Sequence, residues 1–349
     1  MDKALSPHYS LVVEIQSDMV SGSVVHFSEN AEPVIMYHVS ARSDHKDQRS
    51  SDHITRTMLA LVENISAKII RDGMGRSIGD VHFVLSSPWV VSKAKKVRVE
   101  YEEEMVISSD IVESIVEEGR NKVLGESDED IVLIEQKICD IQLNGYSVDS
   151  YVDRKARRLE VSFVLSLSSD EVMKKMRLAV SKHIHFHNDY YHSAFLLHYV
   201  SARMSAVDGE EYALVHVHGE LTDIVTIRGG FSSDIGSFPF GSSTLLRNIS
   251  EALPGHGHES VKSLLSMHEE QRMDDEHGRK IDAVVSAIIH RWHEDCMKMR
   301  LPDRIRLIAI NHPGIFKKIL EKKDRKVMVF DGPLIKIYAS ALNSVMPVI

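Results

Sequence analysis

The chain of 349 residues carries 42 Lys and Arg against 51 Asp and Glu, a formal net charge of -9 at pH 7, and this acidic balance argues against nucleic acid as a partner. Two cysteines exclude a disulfide framework and any Cys-x-x-Cys metal or redox motif, and they suit a reducing cytoplasm. The first residues lack the apolar run of a signal peptide, and no stretch approaches the roughly 18 apolar residues of a transmembrane helix. We therefore expect a cytoplasmic protein without a membrane-spanning segment.

Strand-length apolar segments open the chain at residues 10–16, 22–27 and 33–39, with turn residues between them. This pattern predicts an antiparallel meander. Residues 54–70 then place apolar side chains at helical spacing, and a strand follows at 81–85. The beginning of the chain is therefore predicted to form a sheet covered by a helix.

The segment 96–165 has a character of its own. A strand-like stretch at 96–108 precedes a helix that begins near Ser109, and two further strands follow at 131–145 and 157–168. The order β-α-β-β predicts a small inserted α+β module.

The second half repeats the opening order of elements. A hairpin at 212–231 leads through a loop into a helix within 238–253, with a serine or Thr244 as the expected cap. Two related halves with a cleft between them are therefore predicted. The other expected elements are helices at 170–182, 192–206, 280–299 and 315–323, a partly helical segment at 255–277, and strands at 182–191, 304–310 and 326–330.

Both hairpins have polar residues at the turn. In phosphate-binding hairpins, the residues that contact phosphate lie at the same place. The first turn contains EIQS at 14–17, and the second contains HVHGELTD at 216–223. Gly241 and Thr244 precede and begin the next predicted helix, and the strand RLIAI runs into NHPG at 311–314.

Taken with the order of elements, these stretches resemble the actin-like ATPase superfamily, in particular the bacterial branch that contains the cell-division protein FtsA and the pilus-assembly protein PilM. The family's first loop reads D-h-G-S/T, and its second reads D-h-G-G-G-T-T-D, of which this chain keeps Gly219, Thr222 and Asp223. Gly241 and Thr244 match the family's G-G-x-x-[IL]-T stretch, whereas its double-glycine adenosine motif is missing. The inserted segment lies where this branch carries its extra β-α-β-β domain.

The resemblance implies an α/β protein with the bilobed actin-like (ribonuclease H-like) fold, which has two related mixed-sheet lobes and a small inserted β-α-β-β module. The implied domains are a first lobe at 1–82, 169–206 and 325–349, the module at 83–168, and a second lobe at 207–324 with a helical subdomain about 238–278.

The turn residues predict that a nucleotide with Mg²⁺ binds poorly at this place. Magnesium prefers oxygen ligands, whereas His216 offers nitrogen, and His218 places a ring at a position of close approach. Glu220 is predicted to direct its charge at the phosphates, at a cost of roughly 3 kcal/mol for a separation of about 5 Å and an effective dielectric constant of about 20. We therefore expect no cofactor, or at most weak binding of ATP and Mg²⁺. The residues of this vestigial nucleotide site are Glu14, Gln16, Ser17, His216, His218, Gly219, Glu220, Thr222, Asp223, Gly241, Asn311 and Gly314.

The function that the resemblance implies is a non-catalytic or weakly nucleotide-binding scaffold. It would help to assemble a membrane-associated machine, either a type IV pilus platform or the cell-division apparatus. The expected partners are proteins, among them the cytoplasmic tail of an inner-membrane protein and further copies of this chain. The protein would then be cytoplasmic, or peripheral at the inner membrane through its partner.

One alternative is an active Mg-ATPase of the same family with divergent phosphate loops. The residues that would hold the metal and orient the attacking water are Glu14, Ser17, Thr222 and Asp223.

A second alternative is a histidine-dependent metal-binding protein. His183, His185 and His187 alternate along a predicted strand and would therefore point to one face, where a row of imidazoles can bind zinc or nickel.

Overall fold

The computed structural model describes residues 9–28, 31–43, 51–75, 78–205, 211–229, 231–253, 255–270, 272–273, 275–321, 324–330 and 334–345. In chain order, the strands are β1 (Tyr9–Ile15), β2 (Met19–His26), β3 (Val34–Arg42), β4 (Ile78–Leu85), β5 (Val91–Ile107), β6 (Ile131–Leu143), β7 (Tyr146–Ser147), β8 (Arg154–Ser169), β9 (Asn188–Ser193), β10 (Tyr212–Val217), β11 (Thr222–Arg228), β12 (Phe231–Phe238), β13 (Arg304–Ala309) and β14 (Lys326–Val329). The helices are α1 (Ser51–Arg71), α2 (Ser109–Gly125), α3 (Asp170–Ser181), α4 (Ala194–Ser205), α5 (Ser242–Ala252), α6 (His258–Glu269), α7 (Asp275–Lys298), α8 (Pro313–Leu320) and α9 (Ile335–Val345).

The first lobe is built on a sheet with the strand order β3-β2-β1-β4-β9. Strand β1 pairs antiparallel with β2 and parallel with β4. Successive residues of a strand point to opposite faces, and helices cover both faces of β1. Leu11 lies in a core with Val62 of α1, whereas Val12 lies in a core with Leu197 of α4. This double burial explains why the segment reads as a continuous apolar run.

The second lobe repeats this arrangement. Its sheet has the order β12-β11-β10-β13-β14, with β10 antiparallel to β11 and parallel to β13. Each strand therefore has a counterpart of the same position and direction in the first sheet. The core of this lobe includes Val215, Leu245, Trp292 and Phe316. The prediction of an α/β fold with two related mixed sheets is confirmed.

A further sheet, with the order β5-β8-β6-β7, lies between β4 and α3 in the chain. Helix α2 packs on it through Val112, Val116 and Val123, in a core that includes Phe163. The expected order β-α-β-β is present, and the two-residue strand β7 is added between β6 and β8. The domain boundaries that the resemblance implies stay a prediction.

Two local predictions are wrong. Residues 183–187 form a turn and an irregular loop rather than a strand, because the loop is still bonded to the end of α3 through His183 and Ile184, and β9 begins only at Asn188. Helix α5 has Gly241 as its N-cap instead of Thr244 or a serine. No helix within the described ranges combines the length and the apolar character needed to cross a bilayer.

Candidate functional site

The hairpin turns of the two lobes contact each other directly. The Gly219 N–H donates a hydrogen bond to Asp18 Oδ1 at 2.9 Å, and the Glu220 N–H donates one to Ser17 Oγ at 3.0 Å. Both backbone donors belong to the turn that the resemblance assigns to phosphate. In this structure they bind side chains of the first turn instead.

The sequence motifs did not single out Asp18, although it directly follows Ser17 in the first turn. Its side chain is 7% exposed, and its Oδ2 lies 3.9 Å from Arg42 Nη1. A Cβ atom on residue 219 would overlap the side chain of Asp18, so glycine is required there for the two turns to approach. The close approach that glycine permits is thus used by the protein's own carboxylate.

The Glu14 carboxylate is buried at the end of β1 and bonded on both oxygens. It accepts hydrogen bonds from Gln16 Nε2 at 2.6 Å, Ser21 Oγ at 3.0 Å and the Tyr338 hydroxyl at 3.3 Å. Burial raises the pKa of Glu14, although these hydrogen bonds oppose the shift. A carboxyl group in this state is a poor ligand for magnesium, which needs an accessible anionic oxygen.

A row of buried aromatic side chains continues from Glu14 into the second lobe. The Tyr338 hydroxyl lies 3.2 Å from His198 Nε2, and the rings of His198 and His216 meet edge to face with centroids 5.1 Å apart. The rings of His216 and His218 follow at 3.8 Å. Burial lowers the pKa of His198 to about 3 and that of His216 well below its usual range, so both rings are neutral near pH 7. Neither Tyr338 nor His198 was predicted, because both lie on helices that the turn motifs do not include.

Asp223 is held by the second turn itself. His218 Nε2 donates to Asp223 Oδ2 at 2.9 Å. Burial alone would raise the pKa of Asp223, but the electrostatic interaction and hydrogen bond with His218, together with weaker hydrogen bonds, outweigh it, so the net shift is downward. Asp223 is therefore an ionised carboxylate engaged with a histidine.

Thr222 faces the core of the second lobe. Its hydroxyl donates to the Phe240 carbonyl at 2.6 Å and accepts a hydrogen bond from Trp292 Nε1 at 2.9 Å. The side chain is fully buried. Its position in the motif therefore serves packing and hydrogen bonding inside the lobe.

Glu220 is paired with a base that the sequence motifs did not indicate. Its carboxylate forms two hydrogen bonds with Arg247 of α5, at 2.7 Å to Nη1 and 2.5 Å to Nη2, and Thr244 Oγ1 lies 3.4 Å away. A bidentate guanidinium pair compensates the charge of the carboxylate. The predicted repulsion of about 3 kcal/mol toward phosphates therefore does not apply to this conformation.

The start of α5 is packed against the second turn. The N–H groups of Ser242 and Ser243 donate to the carbonyls of His218 and Gly219 at 2.8 and 2.7 Å. A Cβ atom on Gly241 would overlap these carbonyls, which explains why glycine is the N-cap. These N–H groups at the beginning of the helix are therefore also used within the protein.

The segment matched to the adenosine motif binds a carboxylate from α6. Glu269 Oε1 accepts the Ile315 N–H at 3.2 Å, and Oε2 lies 2.8 Å from His312 Nδ1. Gly314 lies between these two residues, and Asn311 Nδ2 donates to Ser242 Oγ at 3.3 Å. The structure thus brings Asn311 next to α5 and places an acid at the beginning of α8.

The residues around the turns do not fit a magnesium ion. His216 Nε2, His218 Nδ1 and Asp223 Oδ1 are buried and have no hydrogen-bond partner within the described part of the chain. Two of these three atoms are imidazole nitrogens, which magnesium does not favour. Among the residues that the structure describes, no three His, Cys, Asp or Glu side chains come together as a metal site.

The predicted metal-binding histidines lie elsewhere. His183, His185 and His187 are all exposed in the loop before β9. The metal hypothesis for this row stays a prediction.

A large cavity lies beside the second turn, between the two lobes. Its volume is about 1270 Å³, and its wall includes Trp89, Leu167, Leu221 and the Glu220–Arg247 pair. The wall is mainly apolar. This cavity is the space that remains between the lobes next to the joined turns.

Solved structures share this arrangement over nearly the whole chain. A protein in the structure described as "PilM-PilN type IV pilus biogenesis complex" has 12% sequence identity and a TM-score of 0.64, covering 96% of each chain. The ethanolamine utilization protein EutJ from Carboxydothermus hydrogenoformans has 12% identity and a TM-score of 0.52, covering 97% of this chain and 91% of its own. A Bacteroides thetaiotaomicron protein described as having an actin-like ATPase fold and unknown function has 11% identity, a TM-score of 0.46, and 99% coverage of each chain.

No protein-family model matches the sequence, and no curated protein matches it. The likeness is therefore one of fold. PilM belongs to the branch that the sequence resembles, and the two corresponding sheets have the strand order and directions expected of two related lobes. The chain has the bilobed actin-like ATPase fold, and PilM-type proteins are among its structural relatives.

Proposed function

We propose that this protein is a non-catalytic actin-like scaffold that works by binding protein partners. The observation that carries the proposal is the state of the two carboxylates beside the turns. Glu14 is buried and bonded on both oxygens, and Asp223 is bonded to His218. Catalysis of phosphoryl transfer depends on a metal ion that neutralises the developing charge, and such an ion needs accessible oxygen ligands.

The partner is proposed from the structural likeness and from charge. The solved PilM is described in a complex with PilN, which favours a pilus-type machine over a division machine for this chain. The net charge of -9 is complementary to the Lys- and Arg-rich cytoplasmic segments of inner-membrane proteins. We therefore propose a cytoplasmic location, peripheral at the inner membrane through such a tail, and association with further copies of the chain.

Titration with nucleotide tests the proposal. Thermal unfolding of the purified protein is followed with ATP or ADP, each with and without Mg²⁺. A ligand that binds only the folded state at 100 times its Kd stabilises it by about 2.7 kcal/mol, so binding is readily seen. We expect no magnesium-dependent shift. A saturable shift with ATP and Mg²⁺, together with phosphate release, would establish the ATPase alternative.

The ATPase alternative gains one argument from the structure. Glu220 is neutralised by Arg247, so its charge does not exclude a nucleotide. To use the cleft, however, a nucleotide with Mg²⁺ has to displace the bonds of Glu14 and Asp223. The expected behaviour of this alternative is weak nucleotide binding, without turnover unless those bonds break.

A further inference from the structure

The geometry points to an oxyanion-binding site in the second turn whose resident ligand is the protein's own Asp18, an internal substitute for phosphate that fastens the two lobes. This inference goes beyond the proposed function. It concerns what fills the cleft and holds the lobes together, and it does not depend on the identity of a protein partner.

The site has the donors that an oxyanion requires. Gly219 and Glu220 present successive backbone N–H groups in a turn, and both groups point at the first turn. Asp18 Oδ1 accepts the first at 2.9 Å and Ser17 Oγ accepts the second at 3.0 Å. Arg42, 3.9 Å from Asp18 Oδ2, adds a positive charge. A free phosphate would find the Gly219 N–H and the charge of Arg42 if the Asp18 side chain were absent.

The contact joins residues far apart in the chain. Asp18 and Gly219 are 201 positions apart, and each lies in the hairpin turn of its own lobe. A hydrogen bond between backbone N–H and carboxylate is charge-assisted and stronger than a neutral one. The contact therefore ties the lobes at the point where the fold would otherwise close around a ligand.

A second acid is bonded to the segment that the sequence matched to the adenosine motif. Glu269 accepts the Ile315 N–H at the beginning of α8 and contacts His312. Helix beginnings favour anions because their N–H groups lack partners within the helix. Two segments that the sequence matched to nucleotide motifs are thus both bonded to carboxylates of the same chain.

An internal ligand competes strongly with a free one. The fold already holds Asp18 at the site, whereas a free phosphate loses translational and rotational freedom when it binds. External phosphate therefore has little effect on the native protein. Removal of the Asp18 side chain leaves the Gly219 N–H open and creates room for a free oxyanion.

The experiment compares the native protein with Asp18→Ala and with Asp149→Ala. Asp149 is an exposed residue between β7 and β8, so its replacement changes the net charge equally without touching the turns. Amide hydrogen exchange at Gly219 and Glu220 is measured in inorganic phosphate and in sodium chloride of equal ionic strength. Thermal unfolding is recorded under the same conditions.

We expect exchange at Gly219 to be about tenfold faster or more in Asp18→Ala, because one tenfold step corresponds to about 1.4 kcal/mol of lost protection. Phosphate should slow this exchange again and raise the melting temperature of Asp18→Ala by about 2 °C or more. The native protein and Asp149→Ala should respond to neither. Unchanged protection of Gly219 in Asp18→Ala, or no difference between phosphate and chloride, overturns the inference.

Asp18→Asn keeps the inference testable if Asp18→Ala does not fold. Asparagine retains a carbonyl oxygen for the Gly219 N–H but loses the charge, so exchange at Gly219 should be intermediate and phosphate should have no effect. Exchange equal to that of the native protein would overturn the role of the charge. Stabilisation of the native protein by ATP and Mg²⁺ would defeat the proposed scaffold function, whereas the exchange result for Asp18→Ala would stand separately.

Discussion

The two lobes have sheets of the same strand order and direction, yet their hairpin turns differ in chemistry. The first turn carries acids, with Glu14 at its start and Asp18 within it. The second carries backbone N–H donors that bond to the first turn, and two buried histidines. Apolar strand residues can be exchanged for one another while volume and pattern are kept, so sheets persist as turns change. In this protein the two turns have become complementary to each other.

The largest effect is expected where the second turn packs on α5. In Gly241→Ala, the added Cβ overlaps the carbonyls of His218 and Gly219, and backbone atoms cannot rotate away. We expect a loss of about 3 kcal/mol in the free energy of unfolding, measured by urea denaturation. Gly125→Ala at the end of α2 is the control, because its added Cβ has no neighbour within 4 Å, and it should not be destabilised. Equal losses would show that the turn and α5 are not tightly packed.

The next effect is a loss of stability at low pH, which is caused by buried histidines in both regions. Burial lowers the pKa of His82 in the first sheet and of His198 near the second turn to about 3. The unfolded chain protonates both near pH 6.5. Stability is therefore complete above pH 6.5 and falls as the pH drops toward 3, by about 2 kcal/mol per histidine between pH 7 and 5.

His82→Phe checks this explanation, because phenylalanine keeps an aromatic ring beside Tyr190. The loss of unfolding free energy between pH 7 and 5 should be smaller by about 2 kcal/mol than in the native protein. An unchanged loss would mean that His82 is not the neutral buried group described here.

A smaller effect is expected for the pair in which Arg247 compensates the charge of Glu220. A double-mutant cycle with Glu220→Ala and Arg247→Ala should give a coupling of about 1–2 kcal/mol, since both side chains are less than one-fifth exposed. The exposed pair Glu276 and Lys280 on α7 serves as the control, with an expected coupling of at most about 0.5 kcal/mol. A coupling no larger than that of the control would mean that Arg247 does not compensate the charge of Glu220, and the predicted repulsion would apply again.

The smallest effect is expected for the histidine loop. Replacing His183, His185 and His187 together by alanine should change the free energy of unfolding by less than about 0.5 kcal/mol, because all three are exposed. Zinc titration should give the same thermal response before and after the replacement. A zinc-dependent stabilisation that disappears with the three histidines would support the metal hypothesis.

Local patterns predicted the strands and helices well because the spacing of apolar residues within a segment decides which face it can bury as a helix or as a strand. The helix expected at 54–70 is α1 (Ser51–Arg71), and the three opening strands are present. The partners of the turn residues could not be predicted in this way. Arg247 is 27 positions from Glu220, and Gly219 is 201 from Asp18, so tertiary packing alone decides these contacts.

Alternation also misled in the loop before β9, whose first residues bond to the end of α3. The histidine row alternates like a strand, yet it forms the loop that follows α3 and leads into β9. Alternation predicts a strand only when another strand can pair with it.

Thr222 has a consequence for how motifs are counted in distant relatives. Its hydroxyl joins the Trp292 indole to the Phe240 carbonyl in the interior of the second lobe. These contacts within the fold account for the threonine without a nucleotide. A threonine at this place in the signature is therefore no sign by itself that an actin-like chain binds ATP.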